Sequence, residues 1–125
     1  MKLLIVEDEE ITLVPLVDKF TKEGFEVKVA RNGEQGLEMA AAEHPDLILL
    51  DIVMPRMDGM TMMARLRESS AWGASVPIIL LTNLSADDKI MKGVVQNEPS
   101  YYLVKTDWTL NDVVAKVRER LGMTA

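Results

Sequence analysis

The sequence predicts an α/β fold, a doubly wound parallel sheet of five strands with helices on both faces. Five short apolar runs are typical of strands and fall at residues 3–6, 25–30, 47–50, 77–81 and 101–104. Between them, apolar residues recur at the spacing of one helix face, and the connections are short. Strict alternation of strand and helix gives parallel strands joined by right-handed crossovers, with helices on both sides of the sheet.

The second, third and fourth runs indicate where their strands lie in the sheet. In the second run Phe25, Val27 and Val29 alternate with Glu26 and Lys28, the pattern of an edge strand with one face in water. The third and fourth runs, LILL at 47–50 and IILL at 78–81, are apolar throughout. Continuous apolar runs favour central strands that are covered on both faces.

The first helix is predicted from an apolar face that consists of Leu13, Leu16, Val17 and Phe20. Gly24 is placed to end it, because glycine readily adopts the left-handed conformation that follows many helices. Pro15 lacks an amide hydrogen and clashes with the preceding turn, so we expect the helix either to begin near Pro15 or to kink there.

The remaining helices are predicted from polar residues that can cap a helix start and that precede an apolar face. These caps are Asn32, in a segment Asn32-Gly33-Glu34-Gln35 that resembles a capping box, Asp58, Ser85 with Asp88, and Thr109 with Asp112. Together with the first helix, they complete a chain of five βα units.

Length and composition indicate one soluble domain that spans residues 1–125. The chain is 48% hydrophobic and 27% charged, and no apolar run approaches the roughly 18 residues of a membrane span. It contains no cysteine, and its start does not resemble a secretory signal, so we expect a cytoplasmic protein without disulfides. The net charge of −6 and the lack of a Lys/Arg cluster argue against direct contact with nucleic acid.

Polar residues follow four of the apolar runs. Glu7 and Asp8 follow the first run, Asp51 the third, Thr82 the fourth and Lys105 the fifth. In a parallel sheet the carboxyl ends of all strands meet at one edge, where open α/β folds bind their ligands. We therefore expect these side chains to converge, although they are spread over most of the chain.

This set of side chains fits the transfer of one phosphoryl group. A carboxylate such as Asp51 can attack phosphorus and form an acyl phosphate. Glu7 and Asp8 beside it offer ligands to Mg²⁺, and a divalent cation would relieve the repulsion between three neighbouring acids. Lys105 can neutralise one phosphoryl oxygen, and Thr82 can donate a hydrogen bond to another.

Four segments of the chain together resemble the response-regulator receiver domain of two-component signalling. They are LLIVEDE at 3–9, PDLILLDIVMPRMDG at 45–59, LTN at 81–83 and YLVK at 102–105, and the resemblance extends over nearly the whole chain. It implies a flavodoxin-like sheet with the strand order 2-1-3-4-5. It also implies a phosphorylation-dependent switch that catalyses only its own phosphorylation and dephosphorylation, and not an enzyme that turns over other substrates.

The resemblance assigns the central roles to the acids at the sheet edge. It implies that Asp51 accepts a phosphoryl group from a histidine kinase or a phosphotransfer protein. It also implies that Glu7, Asp8, Asp51 and the carbonyl of Val53 bind Mg²⁺. Glu7 departs from the family pattern, in which Asp is more common at this position.

The resemblance also implies a switch and an output surface. Lys105 would contact the phosphoryl group, while Thr82 and Tyr102 would reorient as a pair. The fourth predicted helix, the fifth strand and the fifth predicted helix would then act on a partner protein, an output domain or a second copy of the chain. Asn83 and Thr106 stand where the family more often has a small residue and proline, which bears on phosphoryl lifetime and partner choice.

Taken singly, several of these residues have plainer interpretations. Asp8 and Glu9 could simply favour the start of a helix, where acids are stabilising. Thr82 could be an ordinary hydroxyl at a strand end, and Tyr102 a half-buried aromatic of the sheet. His44 is interpreted as an exposed residue at the end of a helix.

Two other functions stay open at the level of sequence. The chain could keep the receiver fold as an interaction domain that is not phosphorylated. A phosphohydrolase with an aspartyl intermediate has less support, because such enzymes need a second acid two residues after the nucleophile. This chain has Val53 at that position.

Overall fold

The computed structural model describes residues 1–52, 54, 56–82, 101–104 and 109–123, with only the backbone described at Thr82 and at 101–104. The helix predicted to start at Ser85 or Asp88 lies outside the described residues, as do Val53, Asn83, Lys105 and Thr106.

Five parallel strands form one sheet in the order β2-β1-β3-β4-β5. The strands are β1 (Lys2–Val6), β2 (Glu26–Ala30), β3 (Leu47–Leu50), β4 (Ile78–Thr82) and β5 (Tyr101–Val104). The predicted α/β class is confirmed, and the order of the first four strands agrees with the flavodoxin-like arrangement. β5 joins the sheet through backbone pairing with β4, in which Leu80 lies opposite Tyr102.

The predicted positions of the strands within the sheet are also found. β2 is an edge strand, and its Glu26 is exposed while Val27 and Val29 are partly buried. All four residues of β3 are buried, as expected for a strand with neighbours on both sides. The continuous apolar run therefore indicated burial on both faces correctly.

The described helices are α1 (Glu10–Lys22), α2 (Gly33–Glu43), α3 (Gly59–Ser69), α4 (Ala71–Ser75) and α5 (Leu110–Arg120). No helix in the described part of the chain is both long enough and apolar enough to cross a membrane. The short α4 was not predicted, since five residues are too few to show a helical period. Ser70 caps its start by accepting a hydrogen bond from the Gly73 amide at 2.9 Å.

Two hydrophobic clusters cover the two faces of the sheet. On one face α1 and α5 pack against alternate strand residues such as Leu3, Leu49 and Ile79. On the other face α2 and α3 pack against the intervening residues, such as Leu4 and Leu50. Helices therefore lie on both sides of the sheet. Their packing fixes the positions of the strand ends relative to one another.

Of the two expectations for α1, a start near Pro15 is wrong, because the helix begins at Glu10 and includes Pro15, and a kink at Pro15 stays a prediction. The amides of Thr12 and Leu13 donate to the Glu9 carbonyl at 3.1 and 2.9 Å, so one turn forms before the proline is reached. The carbonyl that loses its partner belongs to Ile11, a residue that is 88% exposed, so water can reach this turn.

Gly24 ends α1 as predicted, in the left-handed conformation with φ of 92°. The Gly24 amide donates to the Thr21 carbonyl at 3.1 Å, and the Phe25 amide donates to the Phe20 carbonyl at 3.0 Å. This is the Schellman pattern, which commonly carries an apolar contact across the turn. Here the contact is an edge-to-face packing of Phe20 and Phe25, with ring centres 5.3 Å apart.

The predicted caps of α2 and α5 differ in outcome. Thr109 and Asp112 form the full reciprocal capping box. Asn32 accepts from the Gln35 amide at 2.9 Å, but the Gln35 side chain accepts from Arg31 and not from Asn32. The second half of that box is therefore wrong, because the Gln35 side chain reaches one residue further back, to the Arg31 amide at 2.9 Å.

His44 lies at the end of α2, where it is exposed as expected. It also stacks on Trp72 of α4, with ring centres 4.2 Å apart and an angle of 3° between the rings. This contact joins α2 to the short helix that the sequence did not reveal.

Candidate functional site

Four acids gather at the carboxyl edge of the sheet. One carboxylate oxygen from each of Glu7, Asp8, Glu9 and Asp51 lies within 4.8 Å of those of the others. Three of the four come directly after β1, and Asp51 comes directly after β3. Because β1 and β3 are neighbours in the sheet, the two strand ends bring the acids together.

Backbone hydrogen bonds fix this edge beyond the strands themselves. The Glu7 amide donates to the Ala30 carbonyl and the Asp51 amide donates to the Val6 carbonyl, both at 3.0 Å. The parallel pairing thus continues by one residue past Val6 and past Leu50. The positions of Glu7 and Asp51 are therefore fixed by the hydrogen bonds of the sheet and not by a loop.

The acids are buried to different degrees. Glu7 is 2% exposed and Asp51 is 4% exposed, whereas Asp8 is partly buried and Glu9 is exposed. Burying carboxylates close to one another is costly unless hydrogen bonds or a counter-charge offset the loss of water. A positive charge at the point where the acids meet would therefore stabilise the site.

The residues present fit a divalent cation. Oδ1 of Asp8 is buried, and among the described residues it has no hydrogen-bond partner. A buried carboxylate oxygen without a partner is what a missing ligand would leave, since native structures rarely tolerate such an atom. A set made only of carboxylate oxygens suits a hard cation such as Mg²⁺ or Ca²⁺.

Gly59, the first residue of α3, allows the segment after Asp51 to pack closely against the end of β3. The Gly59 amide donates to the Ile52 carbonyl at 2.8 Å. A Cβ on Gly59 would lie 2.0 Å from the Asp51 carbonyl oxygen, so only glycine allows this approach. Asp58 caps α3 as predicted, accepting from the Thr61 amide at 2.8 Å.

The same segment is also tied to α2. The Gly33 amide donates to the Met57 carbonyl at 3.0 Å. Arg56 is exposed in the left-handed conformation with φ of 65°, and its Nη1 lies 3.9 Å from Oε2 of Glu34. The turn that follows the candidate phosphoacceptor is therefore held by two helices.

The other predicted site residues lie partly outside what the structure describes. Thr82 ends β4, and the pairing of Leu50 with Leu80 places its backbone just beyond the level of Asp51. Tyr102 lies in β5. The side chains of these two residues, together with Val53 and Lys105, are not among those described.

Glu9 is the residue of this cluster that sequence reasoning did not place among the ligands. From the sequence alone, Glu9 is interpreted as an acid that favours a helix start. Its position directly after Glu7 and Asp8 was a signal, but adjacency alone does not distinguish a helix cap from a fourth member of the cluster.

The fold and the acidic edge together define a receiver domain. The sequence pattern of the response regulator receiver domain family matches residues 3–118, and the chain belongs to this family. Members of the family are phosphorylation-dependent switches of two-component signalling, which makes this chain a signalling domain.

Individual relatives support the same assignment. The response regulator PleD of Caulobacter vibrioides is 34% identical over 119 residues, which are 95% of this chain and 25% of PleD. The transcriptional regulatory protein CusR of Escherichia coli is 38% identical over 121 residues, which are 97% of this chain and 51% of CusR. The chain thus spans about a quarter of the length of PleD and about half of the length of CusR.

Solved structures agree with the sequence comparison. The BeF3-activated N-terminal receiver domain of Klebsiella pneumoniae RstA superposes with a TM-score of 0.83 at 32% identity, covering 97% of this chain and 98% of that one. A CheY-like receiver domain protein of Methanospirillum hungatei gives a TM-score of 0.87 at 24% identity, covering 97% and 93%, and supports the fold alone.

Proposed function

We propose that this chain accepts a phosphoryl group on Asp51 from a histidine kinase or a phosphotransfer protein, in a reaction that depends on Mg²⁺. The observation that carries the proposal is the meeting of Glu7, Asp8 and Asp51 at one strand edge, where a buried oxygen of Asp8 has no hydrogen-bond partner among the described residues. Membership of the receiver family supports the same chemistry.

The chemical step is a displacement at phosphorus. A carboxylate oxygen of Asp51 attacks, an acyl phosphate forms, and the P–N bond of the donor phosphohistidine breaks with its electron pair going to the imidazole. Glu7, Asp8, Asp51 and the carbonyl of Val53 would hold Mg²⁺, which supplies positive charge for the incoming oxygens. Burial of Glu7 and Asp51 keeps bulk water from screening this charge.

Two further residues complete the proposed reaction centre. Thr82 donates a hydrogen bond to one phosphoryl oxygen, and the Lys105 ammonium neutralises another. Support for this placement is that β4 ends at Thr82 and β5 ends one residue before Lys105, on the same edge of the sheet as Asp51.

The output is a change of surface. Phosphorylation would bias Thr82 and Tyr102 toward a second arrangement, which alters the face formed by the helix predicted after Ser85, β5 and α5. This face would act on an output domain, a separate partner or a second copy of the chain. The greater length of PleD and CusR supports an output of this kind, and a cytoplasmic location fits a kinase partner.

Phosphorylation by a small donor tests the proposal directly. With acetyl phosphate and Mg²⁺, intact mass spectrometry should show the addition of one phosphoryl group, and acetate should leave with the electron pair of the broken P–O bond. Asp51→Asn should abolish this addition. Asp46→Asn is the matched control, since Asp46 lies just before β3 at the opposite edge of the sheet, and it should be modified like the parent.

Two outcomes would contradict the proposal. Equal incorporation in the parent and in Asp51→Asn would place the phosphoryl group elsewhere. No incorporation in a folded parent, together with no saturable response to Mg²⁺, would favour the interaction domain that is not phosphorylated.

A further inference from the structure

We propose that a cleft between α2, α3 and α4 binds a planar anion of the aromatic carboxylate class. The cleft has a volume of about 410 Å³, which lies within the roughly 300–1,000 Å³ of small-molecule sites. Apolar side chains, two aromatic rings and polar groups line it. The lining residues that carry the argument are Leu37, His44, Arg65, Leu66, Ser70 and Trp72.

The cleft lies toward the amino end of the sheet, away from the acidic edge. α2 starts beside the turn that follows Asp51 and ends at His44, which lines the cleft. Two residues after His44, Asp46 accepts a hydrogen bond from the amide of Lys2 at the start of β1. A ligand in the cleft would therefore not occupy the site of the proposed phosphoryl transfer, and the inference goes beyond that function.

Arg65 is the observation that points to an anion. Of the lysines and arginines that the structure describes, only Arg65 has a side chain without an ion pair or hydrogen bond. The chain carries 20 acidic residues against 14 lysines and arginines, yet none of the described residues that line the cleft is acidic. The exposed guanidinium is thus left for an anion from solution, which it can bind through two parallel hydrogen bonds.

Two stacked rings give the cleft a flat surface. His44 ends α2 in the left-handed conformation with φ of 43°, and its ring stacks on Trp72 with ring centres 4.2 Å apart and an angle of 3° between the rings. Trp72 is partly buried and lines the cleft together with the apolar side chains of Leu37 and Leu66. A flat apolar group can pack against this surface while its carboxylate reaches Arg65.

The attachment of α4 to α3 holds the cleft in shape. Nη1 of Arg67 donates to the carbonyls of Gly73 and Val76 at 3.0 and 2.7 Å. A Cβ on Gly73 would lie 2.2 Å from the Leu66 carbonyl oxygen, so α4 packs directly on the backbone of α3. Ser70 accepts from the Gly73 amide at 2.9 Å, and its hydroxyl keeps a proton that it can donate to a carboxylate. A preformed cleft of this kind binds a ligand with little ordering cost.

Benzoate is the probe that tests the inference, with the indole N–H signal of Trp72 in ¹H–¹⁵N spectra as the readout. The Trp72→Phe variant distinguishes this signal from that of the second tryptophan of the chain. Benzoate should shift the Trp72 signal saturably, with a Kd on the order of 1 mM, as suits a ligand of about nine heavy atoms. Neutral benzamide and non-planar cyclohexanecarboxylate should each bind about fivefold more weakly, since the first lacks the charge and the second lacks the flat ring.

Arginine variants test the role of the charge. Arg65→Gln should weaken benzoate binding about fivefold or more, because it removes the cation and its hydrogen bonds. Arg65→Lys keeps the charge without the planar fork and should restore part of the affinity. Arg56→Gln is the matched control. Arg56 is exposed as well, but its guanidinium lies near Glu34, so its replacement should change the affinity by less than about twofold.

Three results would overturn the inference. The first is that benzoate causes no saturable shift in the folded parent. The second is that cyclohexanecarboxylate binds as well as benzoate, or that Arg65→Gln binds benzoate as well as the parent, which would leave only an apolar surface without selectivity. The third is a shift of the Trp72 signal with rising protein concentration in the absence of benzoate, because a second copy would then cover the cleft. Circular dichroism melts establish that the compared variants are folded, and phosphorylation of Asp51 is tested separately from all of these results.

Discussion

Charged side chains are arranged in opposite ways at the two ends of the sheet. At the amino end, Lys2 lies among three acids and is paired with them. Its amide donates to Oδ2 of Asp46 at 2.7 Å, and its Nζ donates to Oε2 of Glu43 at 2.9 Å, with Glu26 at 3.8 Å. At the carboxyl end, four acids meet and the described residues leave Oδ1 of Asp8 without a partner.

Ionisation behaviour at the amino end reflects this pairing. The hydrogen bond from Lys2 lowers the pKa of Glu43, and the same bond raises the pKa of Lys2. Opposite charges placed this way stabilise each other without any ligand. Charges at the amino end are therefore balanced within the protein, whereas the acids at the carboxyl end are arranged to receive a positive charge.

The largest effect that sharpens this contrast should come from glycine replacements at the two ends. Gly59→Ala would place a methyl group 2.0 Å from the Asp51 carbonyl oxygen, so we expect a loss of about 3 kcal/mol in unfolding free energy. Gly24→Ala meets no atom within 4 Å and should cost only the left-handed conformation, about 1–2 kcal/mol. Urea melts of both variants measure the difference, and equal losses would show that α3 can shift away from Asp51.

The next effect concerns the charge of the acids themselves. Without divalent cation, Asp51→Asn should raise the unfolding free energy by about 1–2 kcal/mol, because it removes one of four neighbouring carboxylates and with it part of their mutual repulsion. Asp46→Asn makes the same change beside Lys2 and should be neutral or destabilising. Of the two replacements, only Asp51→Asn should therefore stabilise the protein.

Thermal melts in chelator, repeated with Mg²⁺, check this prediction. Mg²⁺ should stabilise the parent more than Asp51→Asn, since a ligand that binds only the folded state adds stability by mass action. A melting temperature of Asp51→Asn at or below that of the parent in chelator would refute the repulsion between the acids.

Sequence alone could predict the meeting of Glu7, Asp8 and Asp51, because parallel strands all end at one edge and the apolar runs located those ends. The caps Asp58 and Thr109 were equally accessible, since capping is a local interaction within three residues. In each case the signal is a short stretch of sequence, either an apolar run or a cap, and for the acids the parallel sheet brings the strand ends together.

Side-chain contacts between residues that are distant in the sequence could not be predicted. The ion pair between Arg118 and Glu23, at 2.7 Å, joins residues 95 positions apart and arises only because α1 and α5 share one face of the sheet. Glu9 illustrates a subtler limit. Its sequence position fits both an acid that favours a helix start and a member of the acidic cluster, and only the folded structure shows its carboxylate beside those of Glu7, Asp8 and Asp51.

The smallest effect that tests the comparison comes from Lys2. Its raised pKa means that its contribution is present below the ordinary lysine value of about 10.4 and is lost as the pH rises through the folded value. The lowered pKa of Glu43 means that its contribution is present above about 4.3 and is lost as the pH falls through the folded value. Lys2→Gln should therefore be less stable than the parent near neutral pH, and the difference in stability should vanish at both extremes of pH.

Melts across pH measure this gap in stability between Lys2→Gln and the parent. Lys22→Gln, which removes an exposed pair with Asp18, is a control that should change little. A gap that stays constant with pH would assign the role of Lys2 to packing of its aliphatic stem, and the amino end would no longer be the charge-paired counterpart of the acidic edge.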